Sequence, residues 1–271
     1  MHSLLSHAAT ILSLAGWALG IGICLYLIDH DGLTVGSDLG AYLRAGDDLV
    51  AGNPVYVGEI SQLGTFSYAP PWAILFGALS WVPDVVMQLG IVSLSLLSIR
   101  YVAGSWLRSG LFFLYPVSAM VLLAGNIEFL ITAAIVLAAR GHAGPLAFVA
   151  LAKIAPALGV PPSGSREAVW VLAIAMLITL PWLYLWPEWI EYLLRQPVTI
   201  DIHLGPPWYV RLPFALALLL VRRPWASALA VVVAMPSLWL GTLIILASVV
   251  RLWFDGRTGQ TTVADRRAET G

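Results

Sequence analysis

Ten apolar runs follow one another along the chain, separated by charged residues or by Gly and Pro. Only 11% of the residues are charged, against about 25% in an ordinary soluble domain. This small number of charges cannot build a water-solvated surface of ordinary size. Lipid must therefore be the solvent for most of the chain. The sequence therefore predicts an all-α polytopic membrane protein. The runs span residues 8–28, 71–81, 85–99, 111–123, 127–139, 145–160, 168–186, 208–221, 225–235 and 237–253.

Several of these runs are shorter than the roughly 20 residues that a straight span needs. Short, Pro-interrupted helices have to be buried in protein, because lipid cannot satisfy their free backbone groups. We expect one membrane domain over residues 1–255 with about eight to ten transmembrane or half-spanning helices. A re-entrant hairpin is predicted at 145–162, with its apex between Lys153 and Pro156.

The distribution of Lys and Arg predicts how this bundle is oriented. Loop 29–70 contains one basic residue and six acidic ones, which places it outside. Arg100 and Arg108 fit an inner location only if 71–81 is a half-span or a re-entrant arm. Residues 256–271 are polar without an apolar period, which predicts a disordered cytoplasmic tail. The basic residues expected inside are Arg140, Arg166, Arg222, Arg223, Arg251, Arg257, Arg266 and Arg267.

Several common chemistries lack support in the sequence. A net charge of −1 without a basic cluster gives no electrostatic basis for binding nucleic acid. Cys24 is the only cysteine, so a disulfide framework or a CxxC metal site is excluded. The chain contains no HExxH, no Gly-rich phosphate loop and no GxSxG motif. We expect no resident cofactor and assign no metal ligands, while a metal requirement stays open.

The first external loop is predicted to contain an amphipathic helix on the outer membrane face. Its apolar residues recur at helical spacing, and Gly52-Asn53-Pro54 is a stop signal. Asp38 lies in the first turn and shares a face with Tyr42. It can cap the helix or carry chemistry, and both interpretations stay open. Asp47 and Asp48 are interpreted as solvated surface. The apolar residues of the pattern are Leu39, Tyr42, Leu43, Leu49 and Val50.

Two ionisable residues within or between apolar runs are the next candidates, because a charge there is expensive to bury. Lys153 is the only lysine, and the nearby Pro156 breaks its helix. Its ammonium can hold a phosphate or extend to the interface. Glu128 can pair with Lys153, bind an acceptor hydroxyl, or be a solvated loop acid. Tyr68 suits an interfacial aromatic belt, and His203 can bind a phosphate or hydroxyl or be inert.

The order of these pieces resembles glycosyltransferase family 87, the polyprenyl-phosphate-mannose-dependent mannosyltransferases of the GT-C fold. The resemblance covers about residues 37–162. It implies a GT-C-like bundle, a sugar donor carried on polyprenyl phosphate, and a catalytic aspartate that maps to Asp38. The motifs are Asp38-(x)3-Tyr42-(x)9-Gly52-Asn53-Pro54-(x)1-Tyr56, Tyr68-Ala69-Pro70-Pro71, Pro116 with Gly125-Asn126, and Ala143-Gly144 leading to Lys153-(x)2-Pro156.

The resulting expectation is a bacterial plasma-membrane enzyme with its catalytic loop, 29–70, on the external face. It would transfer a sugar, with mannose the expected one, to a lipid or glycan acceptor with inversion. Asp38 would be the general base, and Lys153, aided by Arg44 or His203, would neutralise the leaving phosphate. A protein partner is also expected because the chain is short. A small-solute transporter and a non-catalytic GT-C-like scaffold subunit are the alternatives. The expected substrate-binding residues are Tyr42, Arg44, Tyr68, Asn126, Glu128, Lys153 and His203.

Overall fold

The computed structural model describes residues 2–31, 36–59, 64–195, 204–236 and 238–257. Every regular element within these ranges is a helix, and no strand occurs there, which confirms the all-α class. Short 3-10 helices join several α-helices. The α-helices are α1 (His2–Asp31), α2 (Ser37–Ala51), α3 (Pro70–Ala78), α4 (Asp84–Ala103), α5 (Trp106–Ser109), α6 (Val117–Ala124), α7 (Glu128–Ala139), α8 (Gly144–Ala150), α9 (Ser165–Ile178), α10 (Leu185–Arg195), α11 (Trp208–Leu219), α12 (Pro224–Ala234) and α13 (Leu246–Arg257).

Two helices in the described ranges are long and apolar enough to cross a membrane, namely His7–His30 within α1 and Asp84–Ala103, which is α4. A third span results if Trp106–Leu114 and Val117–Ala124, which are bent by 107°, count as one. Helices α7, α11 and α12 are apolar but shorter. Two or three helices are thus compatible with an integral membrane protein, and the larger expected number stays a prediction.

The amphipathic helix predicted in the first loop is present as α2. It ends at Gly52, whose φ of 75° is left-handed and suits a residue without a Cβ. Among the apolar residues of the pattern, Leu39, Tyr42 and Leu43 are buried within the protein. Val50 is 66% exposed. It directly follows the buried Leu49, and a helix turns about 100° between neighbouring residues.

Helix α2 packs closely against α3, which follows it along the chain. A Cβ atom added to Gly46 would lie 2.5 Å from the backbone N of Gly77. The two glycines therefore allow the helix backbones to approach each other. The rings of Trp72 and Phe76 in α3 lie 6.1 and 5.2 Å from the Tyr42 ring. At nine residues, α3 rises about 14 Å, roughly half of a bilayer's hydrocarbon core.

The chain folds back after α8, as the predicted hairpin requires. The 3-10 helix Ala155–Gly159 returns against α8 and α12. A Cβ on Gly159 would lie 3.2 Å from the Leu146 side chain and 3.0 Å from Val231. Lys153 lies in the turn between the two segments.

The last described helix, α13, extends to Arg257. Gly256 and Arg257, which the sequence assigned to the disordered tail, therefore form its final turn. Residues 258–271 lie outside the described residues. A polar composition lowered the expectation of helix here, but Arg251 and Asp255 pair within α13 at 3.0 Å and support its last turns.

Candidate functional site

Four residues that were candidates from sequence meet in one chain of hydrogen bonds. Asn126 Nδ2 donates to Asp38 Oδ2 at 3.0 Å. The backbone N–H of Glu128 donates to Asn126 Oδ1 at 3.3 Å. Lys153 Nζ donates to Glu128 Oε1 at 2.5 Å. The start of α2, the α6–α7 turn and the turn after α8 thus converge on one group, which we name the carboxylate–ammonium group: Asp38, Asn126, Glu128 and Lys153.

Gln88 of α4 holds the start of α2 in place. Its Oε1 accepts the Gly36 N–H at 3.1 Å, and its Nε2 donates to the Leu123 carbonyl at 2.8 Å. A Cβ on Gly36 would lie 2.1 Å from that same carbonyl oxygen. One amide side chain and one glycine therefore bring the first turn of α2, which carries Asp38, against the end of α6.

Gly125 makes the same approach possible from the other side. It ends α6 with a left-handed φ of 72°. A Cβ on Gly125 would lie only 2.7 Å from the Leu39 Cβ. Both the turn and the close approach thus favour glycine at this position. The turn leads directly into Asn126, which places its amide within reach of Asp38.

The Asp38 carboxylate accepts a hydrogen bond from Asn126, and the N-cap position of α2 falls on Gly36. Asp38 is therefore not the N-cap residue of α2, and the N-cap position makes no side-chain hydrogen bond. Burial raises the pKa of the Asp38 carboxyl, and the nearby Glu128 carboxylate raises it further. Lys153 and the Asn126 hydrogen bond counter part of this rise. The result is a carboxylate more basic than an ordinary aspartate.

Glu128 and Lys153 form an ion pair whose carboxylate is fully buried. Their side chains are 0% and 15% exposed. This contact excludes a solvated Glu128 and shows the ammonium directed at a carboxylate. Trp239 Nε1 also donates to Glu128 Oε1, at 3.3 Å. No group in the described residues is bonded to Glu128 Oε2. An ammonium carries three N–H donors, and Glu128 takes one of them.

Tyr42 and Tyr68 line the group from α2 and from the segment before α3. Their hydroxyl oxygens lie 3.0 Å apart and their ring centroids 5.1 Å apart. Burial raises the pKa of Tyr68 to about 12, with Lys153 opposing the rise. Both hydroxyls therefore stay protonated at neutral pH and can donate hydrogen bonds.

The other two predicted substrate-binding residues are not part of this group. Arg44 is exposed, and its Nη2 donates to the Gly64 carbonyl at 2.8 Å. It lies beside a separate cavity of about 370 Å³ that Asp47 and Asp84 also line. His203 lies outside the described residues.

Two contributors were missed from sequence, Trp239 and Gln88. Gln88 carried a usable signal, because a polar amide inside an apolar run has to find a partner. Trp239 carried none, since tryptophan is common at membrane interfaces. Among the described residues, no three His, Cys, Asp or Glu side chains gather as a metal ion would require.

Comparisons of the chain with protein-family models, with curated proteins and with solved structures found no match.

Proposed function

We propose that the chain is a membrane glycosyltransferase. It would transfer a sugar, which we propose to be mannose, from a polyprenyl-phosphate donor to an acceptor hydroxyl. Its short helices would form a GT-C-like bundle with eight to ten full or half spans in a bacterial plasma membrane. The active site would open at the outer face. A lipid donor explains why the site is built among apolar helices, because its polyprenyl chain stays in the bilayer.

The observation that carries this proposal is the carboxylate–ammonium group. A partly buried Asp38 with a raised pKa lies in the same hydrogen-bonded chain as the Lys153 ammonium. Inverting transfer needs this combination, a base for the attacking hydroxyl and a cation for the departing phosphate.

The step we propose is a single displacement. The acceptor hydroxyl gives its proton to Asp38 while its oxygen bonds to the anomeric carbon. The bond between that carbon and the phosphate oxygen breaks, and polyprenyl phosphate leaves with the electron pair. Inversion follows because attack and departure occur on opposite faces. A base whose pKa lies nearer to neutral than that of an ordinary aspartate is better suited to this proton transfer.

Lys153 would stabilise the departing phosphate. Glu128 holds the ammonium in place through one N–H, which leaves two for phosphate oxygens. Glu128 also keeps the ammonium charged where burial alone would favour its neutral form. Tyr42 and Tyr68 would donate to sugar or phosphate oxygens from the wall of the same site.

Substitution of Asp38 tests the proposal. In Asp38→Asn we expect transfer of radiolabelled mannose from polyprenyl-phosphate mannose to a crude lipid acceptor pool to fall about 10²- to 10⁴-fold. The matched control is Asp47→Asn, the same exchange at an exposed position of the same helix, which should transfer normally. Undiminished transfer by Asp38→Asn would refute the assignment.

Stability separates lost chemistry from lost fold. Because the pKa of Asp38 is raised, the folded state holds its proton more tightly than the unfolded chain. Stability from this group is present at low pH and is lost as the pH rises through the folded pKa. At neutral pH, Asp38→Asn should thus be at least as stable as the native protein in thermal unfolding, and a marked loss would mean that its inactivity reflects misfolding.

A small-solute transporter is the second candidate, and the buried Glu128–Lys153 pair is the observation that favours it. A transporter would move labelled solute into proteoliposomes without consuming a lipid-linked donor. Donor turnover that depends on Asp38, without solute uptake, would decide for the enzyme. A non-catalytic scaffold would show neither activity.

A further inference from the structure

A cavity of about 490 Å³ lies apart from the carboxylate–ammonium group, between the segment after α2 and helix α10. Its size falls within the range of ordinary ligand pockets. Tyr56 lines it from one side, and Tyr184, Glu188, Glu191 and Tyr192 line it from the other. We call it the α10 cavity.

Tyr192 shows that this cavity is more than an acidic surface. Its side chain is 7% exposed, yet no group in the described residues bonds to its hydroxyl. A buried hydroxyl without a partner is costly, and a bound ligand would supply one. Its ring also lies 5.7 Å from the Tyr56 ring, so two aromatic rings meet in the lining.

The carboxylates set the polarity of the lining. Glu188 precedes Tyr192 by four residues and therefore shares its face of α10. Glu191 pairs with Arg195, also in the lining. Two carboxylates and one guanidinium leave the cavity with a net negative charge, which disfavours phosphates, uronates and other anions. Tyrosine rings offer apolar faces, while carboxylates accept hydrogen bonds from hydroxyl groups. A neutral carbohydrate combines both complementary features.

The position of the cavity distinguishes it from the reaction centre. Gly52, at its edge, follows Asp38 by fourteen residues (38 to 52) along α2, a rise of about 21 Å. Tyr56 connects the two regions, because its ring contacts Tyr192 and its hydroxyl donates to the Tyr68 carbonyl at 3.1 Å. The cavity is thus too far away for the reacting hydroxyl but lies along the same aromatic wall.

We propose that the α10 cavity binds the distal part of a neutral oligosaccharide acceptor whose reacting end lies at Asp38. This proposal rests on the glycosyltransferase function. It narrows the acceptor to an uncharged glycan of several sugars.

Binding can be tested without any donor. Saturation-transfer NMR on the full purified chain in detergent would use mannotriose as the neutral probe and a uronate-containing trisaccharide as the anionic one. We expect saturation transfer to the ring protons of mannotriose and little to the anionic probe. Tyr192→Phe keeps the ring and should weaken mannotriose binding about five-fold through one lost hydrogen bond. Glu188→Gln should strengthen binding of the uronate probe, while Asp47→Asn should match the native protein.

Two outcomes would overturn the subsite. One is no saturation transfer to mannotriose. The other is mannotriose binding that Tyr192→Phe leaves unchanged together with uronate binding that Glu188→Gln leaves unchanged. Either result is compatible with Asp38-dependent turnover, in which case the enzyme stands and only the subsite fails. Conversely, binding that depends on Tyr192 in a protein without transferase activity would support the cavity as a carbohydrate site and refute the catalytic proposal.

Discussion

The two ends of α7 carry charged clusters of opposite balance. At its N-terminus, Glu128 lies with Asp38 and Lys153, so two carboxylates surround one cation. At its C-terminus, Arg140 and Arg251 surround the single carboxylate of Asp255, at 3.2 and 3.0 Å. Both arrangements place charge favourably for the helix dipole. The rise of twelve residues separates them by about 18 Å.

The clusters differ most in burial and in unused bonding capacity. Arg140, Arg251 and Asp255 are 34%, 24% and 15% exposed, so water shares in their solvation. Arg140 also donates to the Tyr101 hydroxyl, which ties α4, α7 and α13 together. At the other end Glu128 is fully buried and one of its oxygens is unpartnered within the described residues. Burying a carboxylate oxygen without a partner is costly, which is compatible with the ligand site that we propose there. The Asp255 cluster instead joins α4, α7 and α13.

The largest expected effect comes from breaking the buried pair. Lys153→Met leaves Glu128 without its cation, and such losses cost about 3–5 kcal/mol. Equilibrium unfolding by SDS titration in detergent micelles measures this. The double variant Glu128→Gln/Lys153→Met removes both charges, keeps an acceptor for Trp239, and should recover most of the stability. A cost below about 1 kcal/mol for the single variant would mean that the pair is solvated like a surface pair.

A smaller loss is expected when the approach of α2 to the site is blocked. Gly125→Ala and Gly52→Ala both place a Cβ at a left-handed φ, of 72° and 75°. Only at Gly125 does that atom also meet Leu39, since nothing lies within 4 Å at Gly52. Gly125→Ala should thus be about 1–3 kcal/mol less stable than Gly52→Ala in the same titration. It should also lose more transfer activity than Gly52→Ala, whose added Cβ meets no neighbouring atom.

Equal stability and equal activity in the two glycine variants would contradict the geometry of the α2–α6 contact. Loss of activity in Gly125→Ala without a matching loss of stability would instead narrow the role of the α2–α6 contact. The contact would then matter chiefly for aiming Asp38 at its substrate.

The pH dependence of transfer probes the charge excess at the site directly. The raised pKa of Asp38 predicts that activity falls on acidification at a pH above about 3.9, the ordinary aspartate value. Asn126 donates to the ionised carboxylate and lowers this pKa. In Asn126→Ala the acid limb of the rate profile should therefore move to higher pH. If the acid limb of the rate profile stays at the same pH in Asn126→Ala, a group other than Asp38 limits the rate.

Local sequence patterns predicted the parts of this site that depend on neighbours along the chain. The apolar spacing and the Gly52 stop signal were enough for α2, and the cost of burying charge identified Glu128 and Lys153. Contacts between distant segments were harder to predict. The hydrogen bond from Trp239 and the Gln88 bridge depend on how helices pack, which no local period encodes. Arg44, expected to bind substrate, lies outside the carboxylate–ammonium group, and its Nη2 donates to the Gly64 carbonyl.

The smallest effect is expected at the opposite end of α7. Asp255→Asn removes the carboxylate between two arginines, but all three side chains are partly exposed and the arginines can rehydrate. Pairs of this kind contribute about 0.2–1 kcal/mol, and salt screens them further. The SDS titration should show a loss within that range, smaller still at high salt, and transfer activity should stay native. A stability loss as large as that of Lys153→Met would mean that the two ends of α7 are equally desolvated. Burial would then no longer distinguish the carboxylate–ammonium group from the Asp255 cluster.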